Sequence, residues 1–196
     1  MLPKFTYTRP TSLDEALKVL GEHGGSIHGG GTDLIGCLRD GIISAKTVVS
    51  ITSLDELRGI SASADGGTRL GAMTSISEIA ADESIAEGLT ALSDAARVVA
   101  SPQLRNQGTI AGNLCQKPRC WYYRGDFDCL RKGGEKCFAF EGENTYHCIF
   151  GGDLCFIVHP SDTAPALAVL GAVCRVSGPG GSRSVPVEKL HVPPSE

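Results

Sequence analysis

The chain has 196 residues, a hydrophobic fraction of 41% and a formal net charge of −4. This length suits one large domain or two small ones, and the apolar fraction is sufficient for a folded core, which argues against a disordered chain. The 18 Lys and Arg residues are scattered, so no basic stripe indicates nucleic-acid binding. No apolar run is long enough for a membrane span, and the N-terminus lacks the layout of a secretory signal. We therefore expect a cytoplasmic protein.

The N-terminal segment predicts one α/β unit. A capping box at Ser12 begins a helix, and Gly21 lies where this helix should end. A short strand over 26–28 leads into a glycine turn, which is followed by a helix over 34–38 and a β-branched strand over 47–51. Strand, turn, helix and strand in this order form a parallel crossover, and α/β folds bind ligands at the C-terminal ends of such strands.

The rest of the chain predicts short strands and helices on both sides of a cysteine-rich loop. A strand over 69–73 precedes a capping box at Ser75, which begins a short helix. A longer helix follows, with apolar residues at helical spacing. The predicted elements are this helix over 84–100, a strand over 154–158, a helix over 164–170, and strands over 172–177 and 184–187.

Two turns of small residues are candidate phosphate sites. Gly29-Gly30-Gly31-Thr32-Asp33 follows a strand and offers bare backbone amides beside a hydroxyl group. It is neither a Rossmann fingerprint, whose last glycine would fall at Leu34, nor a P-loop, because Gly36 is followed by Cys37. A plain strand-to-helix turn explains it equally well. The second turn, Thr109-Ile110-Ala111-Gly112-Asn113, is also ambiguous alone, but the pair could hold a dinucleotide pyrophosphate from both sides.

Five of the eight cysteines lie between Arg119 and His159. In a reducing compartment, cysteines are more often metal ligands or buried thiols than members of disulfides. A long loop rich in Gly, Arg and Asp buries too little apolar surface to order itself, so we expect a bound group to crosslink it. A soft-metal loop beside two phosphate-type turns indicates a protein that handles electrons.

Four segments resemble a known family. They are the turn over 29–33, the segment over 101–108, the turn over 109–113 and the tetrad His159-Pro160-Ser161-Asp162. The family is the FAD-binding medium subunit of molybdenum hydroxylases, of the xanthine dehydrogenase, carbon monoxide dehydrogenase and aldehyde oxidoreductase types. The loop from Cys115 to Cys155 is similar to an insertion in the 4-hydroxybenzoyl-CoA reductase and periplasmic aldehyde oxidoreductase branch, whose flavin subunit carries an additional 4Fe–4S cluster.

The resemblance implies an α+β, two-lobed FAD-binding fold. A small α/β lobe over 1–53 would pack on a second lobe over 54–196, which is built on a largely antiparallel sheet and includes the iron–sulfur loop over 115–155. FAD would lie between the lobes. Family members continue into a C-terminal domain, whereas this sequence ends at Glu196. The resemblance therefore implies that the chain is a fragment or lacks that domain.

The resemblance also implies which residues bind the cofactors. The two turns would hold the FAD pyrophosphate, and Thr74 and Asp162 would lie near the cofactor. The predicted FAD-binding residues are Gly29, Gly30, Gly31, Thr32, Asp33, Thr74, Thr109, Ala111, Gly112, Asn113 and Asp162. The predicted cluster ligands are Cys120, Cys129, Cys137 and Cys155, whereas Cys115 and Cys148 are expected to bind no iron.

Other interpretations of the cysteines stay open. Zinc could be bound with His147 or His159, although no Cys-x-x-Cys pair favours a zinc ribbon. Paired disulfides are a further alternative. Unrelated buried thiols explain Cys37 and Cys174, which lie in apolar periodic segments, better than they explain the loop.

The functional prediction is an electron-transfer flavoprotein subunit with FAD and one 4Fe–4S cluster. Its expected partners are a molybdenum-cofactor large subunit, a 2Fe–2S small subunit and an external electron donor or acceptor. No substrate-oxidising residue is expected in this chain. Two rival predictions are an FAD subunit without a cluster, whose loop is structural or binds zinc, and a non-catalytic nucleotide-binding assembly module.

Overall fold

The N-terminal segment folds as the predicted parallel crossover, with one additional strand. The computed structural model describes residues 1–194, so Ser195 and Glu196, the end of the predicted second lobe, lie outside the described residues. Strand β3 is the centre of a three-stranded parallel sheet with the order β1-β3-β2. The elements are β1 (Thr6–Thr8), α1 (Leu13–His23), β2 (Ser26–His28), α2 (Leu34–Arg39) and β3 (Thr47–Ser50).

Helix α1 begins as predicted but ends later. The Ser12 hydroxyl accepts from the backbone N–H of Glu15, whose carboxylate returns a bond to the N–H of Thr11 rather than that of Ser12. The helix ends at His23 and not at Gly21, because Gly24 adopts the positive φ of 62° at the C-cap and donates its N–H to Leu20. The prediction for Gly21 is therefore wrong: it lies inside the helix.

In the remainder of the described chain, the regular elements are mostly short helices. Its strands form two separate antiparallel pairs, so the expected single, largely antiparallel sheet is not seen in residues 54–194. The elements are β4 (Ile60–Ala62), β5 (Thr68–Leu70), α3 (Ile76–Ala81), α4 (Glu83–Gly88), α5 (Thr90–Val98), α6 (Pro102–Gln107), α7 (Ile110–Leu114), α8 (Trp121–Arg124), α9 (Thr163–Val169), β6 (Val173–Gly178) and β7 (Gly181–Pro186).

Two predicted elements differ from the structure. The helix predicted over 84–100 is interrupted at Leu89, which has the non-helical angles φ −132° and ψ 48° and separates α4 from α5. Ile85 before the break and Leu92 after it both pack into the same core. The strand predicted over 154–158 is irregular, because no neighbouring strand pairs with it among the described residues.

The core that supports the site lies among the short helices. Helices α3, α5, α7 and α9 bury their apolar faces against one another, and Ile76, Leu92 and Ile110 are all at most 5% exposed. The capping box at Ser75 is confirmed: its hydroxyl accepts from the N–H of Glu78, and the Glu78 carboxylate accepts from the N–H of Ser75. Across the described residues, no helix is long and apolar enough to cross a membrane.

Candidate functional site

The structure brings the two predicted turns into contact. The turn over 29–33 leaves the C-terminal end of β2, and the turn over 109–113 begins α7. A Cβ atom added to Gly30 would overlap the backbone carbonyl of Gln107, and one added to Gly29 would lie 3.4 Å from Oγ1 of Thr109. At Gly30, only glycine permits the close approach to the Gln107 backbone. The two segments in contact are more than seventy positions apart in the chain.

The two turns differ in the backbone donors that they leave free. In the second turn, Ile110, Ala111 and Gly112 donate their N–H groups to the Thr74 carbonyl, the Ala72 carbonyl and the Thr109 hydroxyl. In the first turn, by contrast, the N–H groups of Gly30, Gly31 and Thr32 have no acceptor within the described residues. The free donors that an anion requires therefore belong to the first turn.

Asn113 fixes the tetrad segment beside the second turn. Its Oδ1 atom accepts from the hydroxyl of Ser161 at 2.6 Å and from the hydroxyl of Thr163 at 2.7 Å. Ser161 and Thr163 are buried, whereas Asp162 between them is exposed. The Asp162 carboxylate is thus held at the surface next to α7, where the resemblance places the cofactor. Sequence reasoning did not identify Ser161 and Thr163 as its supports.

Thr74 is engaged within the protein. Its hydroxyl donates to the Gly59 carbonyl at 3.0 Å, and the residue is only 1% exposed. Its backbone carbonyl accepts from Ile110. Thr74 therefore supports the second turn through its backbone carbonyl, and its side chain does not reach the surface.

Asp33 anchors the cysteine-rich loop to the first turn. Its carboxylate accepts from the backbone N–H of Lys117 at 2.7 Å and from Nη2 of Arg124 at 3.0 Å. The carboxylate is 17% exposed, so both bonds are partly shielded from water. Sequence reasoning assigned this residue to FAD, but the described contacts of its side chain are with the loop.

Arg124 is the functional residue that sequence reasoning missed. Besides Asp33, its guanidinium donates to the Pro118 carbonyl at 2.7 Å, to the Lys117 carbonyl at 3.0 Å and to the Cys37 sulfur at 3.2 Å. Burial raises the pKa of the Cys37 thiol, and the nearby Asp33 carboxylate raises it further. No local pattern marks Arg124, since Asp33 and Cys37 lie 91 and 87 positions away from it in the chain.

The four predicted cluster ligands line one small cavity in the loop. Cys129 is 6% and Cys155 is 8% exposed, and burial raises the pKa of the Cys120 thiol, as do the neighbouring Cys129 and Cys137. Cys115 and Cys148 do not line this cavity. Its lining consists of Cys120, Tyr122, Tyr123, Cys129, Leu130, Arg131, Cys137, Phe138, His147, Cys155 and Ile157.

Within residues 1–194, no three His, Cys, Asp or Glu side chains converge closely enough to hold one metal ion. A tetrahedral zinc site requires four ligands at about 2.0–2.3 Å from a single centre. All eight cysteines are free thiols, so the disulfide alternative is not seen. The His159 ring packs against the His191 ring with the centroids 3.6 Å apart and the planes tilted by 31°, and His159 does not line the cysteine cavity.

An aromatic cluster borders the cysteine cavity. The ring centroid of Tyr122 lies 5.0 Å from that of Phe127 and 5.9 Å from that of Phe138. These rings give the loop some apolar packing of its own beside the four thiols. The expectation that a bound group crosslinks the loop stays a prediction.

Two comparisons concern sequence. A family model described as the FAD binding domain in molybdopterin dehydrogenase matches residues 3–196. The chain is 34% identical over 197 residues to the aldehyde oxidoreductase FAD-binding subunit PaoB of Escherichia coli, covering 98% of this chain and 62% of that protein. It is 31% identical to the carbon monoxide dehydrogenase medium chain of Hydrogenophaga pseudoflava, covering 72% and 48%. The chain thus spans about half to three fifths of these relatives.

Solved structures show the same fold at lower identity. Carbon monoxide dehydrogenase from Oligotropha carboxidovorans matches with a TM-score of 0.69 and 21% identity, over 95% of this chain and 52% of that chain. Quinoline 2-oxidoreductase from Pseudomonas putida 86 matches with a TM-score of 0.69 and 24% identity, with the same coverage. From the family match over residues 3–196, we conclude that this chain belongs to the FAD-binding domain family of the molybdopterin dehydrogenases.

Proposed function

We propose that this chain is the FAD-binding, 4Fe–4S-carrying electron-transfer part of a molybdenum-cofactor oxidoreductase. The observation that carries the proposal is that a candidate pyrophosphate site and a candidate cluster site lie next to each other. The first glycine turn, which has the free donors, touches the second and ends at Asp33, and the four-thiol cavity lies in the loop that Asp33 anchors through Arg124.

The first turn fits an FAD pyrophosphate. Gly30, Gly31 and Thr32 offer backbone N–H groups without protein acceptors, and glycine lets a phosphate approach the backbone closely. Gln107 and Gly108, which lead into the second turn, contact Gly30 and would close the site from the other side. Asp162 is exposed between the buried Ser161 and Thr163. When bound, FAD would supply the exchange between paired and single electrons.

The cysteine cavity fits a cluster better than a single ion. Cys120, Cys129, Cys137 and Cys155 line one cavity, yet no three potential ligands converge on one point in residues 1–194. A cubane with four irons is held by four thiolates around a larger centre, which matches such an arrangement. Burial raises the pKa of the Cys120 thiol, and the backbone N–H groups of Tyr123 and Tyr122 oppose part of that rise.

The partners and compartment are part of the same proposal. The names of the relatives describe an FAD-binding subunit and a medium chain, which indicate multi-subunit enzymes. We therefore expect a molybdenum-cofactor large subunit, a 2Fe–2S small subunit and an external electron carrier as partners, in the cytoplasm. Substrate oxidation would take place on the large subunit.

The test is an anaerobic absorbance spectrum of the purified protein, together with released flavin, iron and acid-labile sulfide. We expect about one FAD and about four iron and four sulfide per chain. FAD without iron would favour the cluster-free flavin subunit, and absence of both would favour the assembly module. Oxidation of an organic substrate by the isolated chain would contradict its assignment as a relay.

A further inference from the structure

His147 is a buried imidazole in contact with one of the four thiols. It is 8% exposed, it lines the cysteine cavity, and its Nε2 atom lies 3.2 Å from the sulfur of Cys120. Its other ring nitrogen, Nδ1, is buried and has no hydrogen-bond partner in the described residues. The sequence alternatives considered His147 only as a zinc ligand.

These contacts decide which ring nitrogen carries the proton in the neutral imidazole. A neutral histidine has one N–H donor and one acceptor nitrogen. A proton on Nδ1 would bury a donor without an acceptor, and orphaned buried donors are rarer than under-used acceptors. The proton therefore belongs on Nε2, where it points at the Cys120 sulfur.

The ring is held in this orientation from two sides. The backbone N–H of His147 donates to the Asn144 carbonyl at 2.8 Å, and the ring packs against Tyr122 with centroids 6.2 Å apart. The neighbouring contact between Arg131 and the Cys155 sulfur is longer, with Nε at 3.5 Å. Among the four thiols that line the cavity, Cys120 thus has the closest side-chain donor.

We propose that His147 is a positioning residue that donates its Nε2–H to the Cys120 sulfur and raises the reduction potential of the 4Fe–4S cluster. This inference rests on the proposed function. Reduction adds negative charge that the thiolate sulfurs share, so a donor to a sulfur stabilises the reduced form more than the oxidised form. Hydrogen bonds to the sulfurs are among the factors that set cluster potentials.

The test compares three variants by iron and sulfide content and by anaerobic redox titration followed by electron paramagnetic resonance. His147→Phe removes the donor and keeps a planar ring. His147→Gln retains an N–H at a reach similar to Nε2. Phe138→Leu is the control, because it changes another cavity-lining residue without changing a donor.

We expect full iron and sulfide in all three variants. His147→Phe should shift the midpoint potential to a lower value, whereas His147→Gln and Phe138→Leu should stay close to wild type. If His147→Phe does not fold, His147→Asn serves instead: its amide ends short of the sulfur, so it too should shift the potential downwards.

Three results would overturn the inference. An unchanged potential in His147→Phe excludes the hydrogen-bond role while the proposed function stands. Loss of iron in both His147→Phe and His147→Gln, with full iron in Phe138→Leu, would make His147 a ligand instead. Wild-type protein without iron and sulfide would overturn the cluster proposal itself.

Discussion

Arg124 and Asp33 are 91 positions apart in the chain, and Nη2 of Arg124 lies 3.0 Å from Oδ1 of Asp33. This ion pair joins the cysteine-rich loop to the turn that we assign to the FAD pyrophosphate. Its side chains are 20% and 17% exposed, so water screens it less than a surface pair. The two proposed cofactor sites therefore share a structural support.

We predict that Arg124→Ala destabilises the protein and weakens FAD retention. Removing the guanidinium leaves a mostly buried carboxylate with only the N–H of Lys117 as a close donor and deprives two backbone carbonyls of theirs, which should lower the free energy of unfolding by about 2–3 kcal/mol. Urea unfolding measures this change. Arg119→Ala is the control, because Arg119 is 61% exposed and 3.8 Å from Asp33, so its loss should cost less than about 1 kcal/mol. Equal losses in both variants would contradict the anchoring role.

We predict that Gly30→Ala abolishes FAD binding. The new Cβ would collide with the Gln107 carbonyl and force the two turns apart. Released flavin per chain measures the loss. Gly36→Ala is the matched control: nothing lies within 4 Å of its Cβ position in helix α2, so FAD should be retained and stability unchanged or raised by up to about 1 kcal/mol. Full FAD in Gly30→Ala would exclude this turn from the site.

We predict that four cysteines and not six hold the iron. Replacing Cys120, Cys129, Cys137 or Cys155 by Ser should each lose or damage the cluster, because these four line the cavity. Cys115→Ala and Cys148→Ala should keep full iron, since neither residue lines it. Iron assays on the six variants decide the ligand set, and limited proteolysis reports whether the loop loosens. Loss of iron in Cys148→Ala with retention in Cys155→Ser would reverse the assignment.

We predict a pH-dependent stability contribution from His159. Burial, followed by the neighbouring His191, lowers the pKa of His159 from 6.5 to about 4. Between pH 4 and pH 6.5 the unfolded chain therefore binds a proton at His159 that the folded chain does not. The contribution of His159 to the free energy of unfolding is complete above pH 6.5 and is lost as the pH falls towards 4. Denaturant unfolding at pH 7 and pH 5 should show a smaller drop in His159→Phe than in wild type. The same drop in both proteins would exclude His159 as the source.

Local chemistry determined which elements and which candidate residues the chain carries. The Ser75–Glu78 capping box acts within one helical turn, and the parallel crossover follows from strand, glycine turn and helix in order. The four cysteines that line the cavity were implied by the family resemblance and not by a local pattern. The capping box and the crossover depend on residues close together in sequence, which is why sequence patterns are sufficient for them.

Tertiary packing decided how those residues are used. The second turn donates backbone N–H groups to the carbonyls of Thr74 and Ala72, so these groups are not free for a ligand. The Asp33 side chain contacts Arg124. The position of His147 against Cys120 likewise depends on a contact between residues 27 positions apart. The hydrogen bond between Arg124 and Asp33 joins residues 91 positions apart. It depends on how whole elements pack, so no local sequence pattern could predict it.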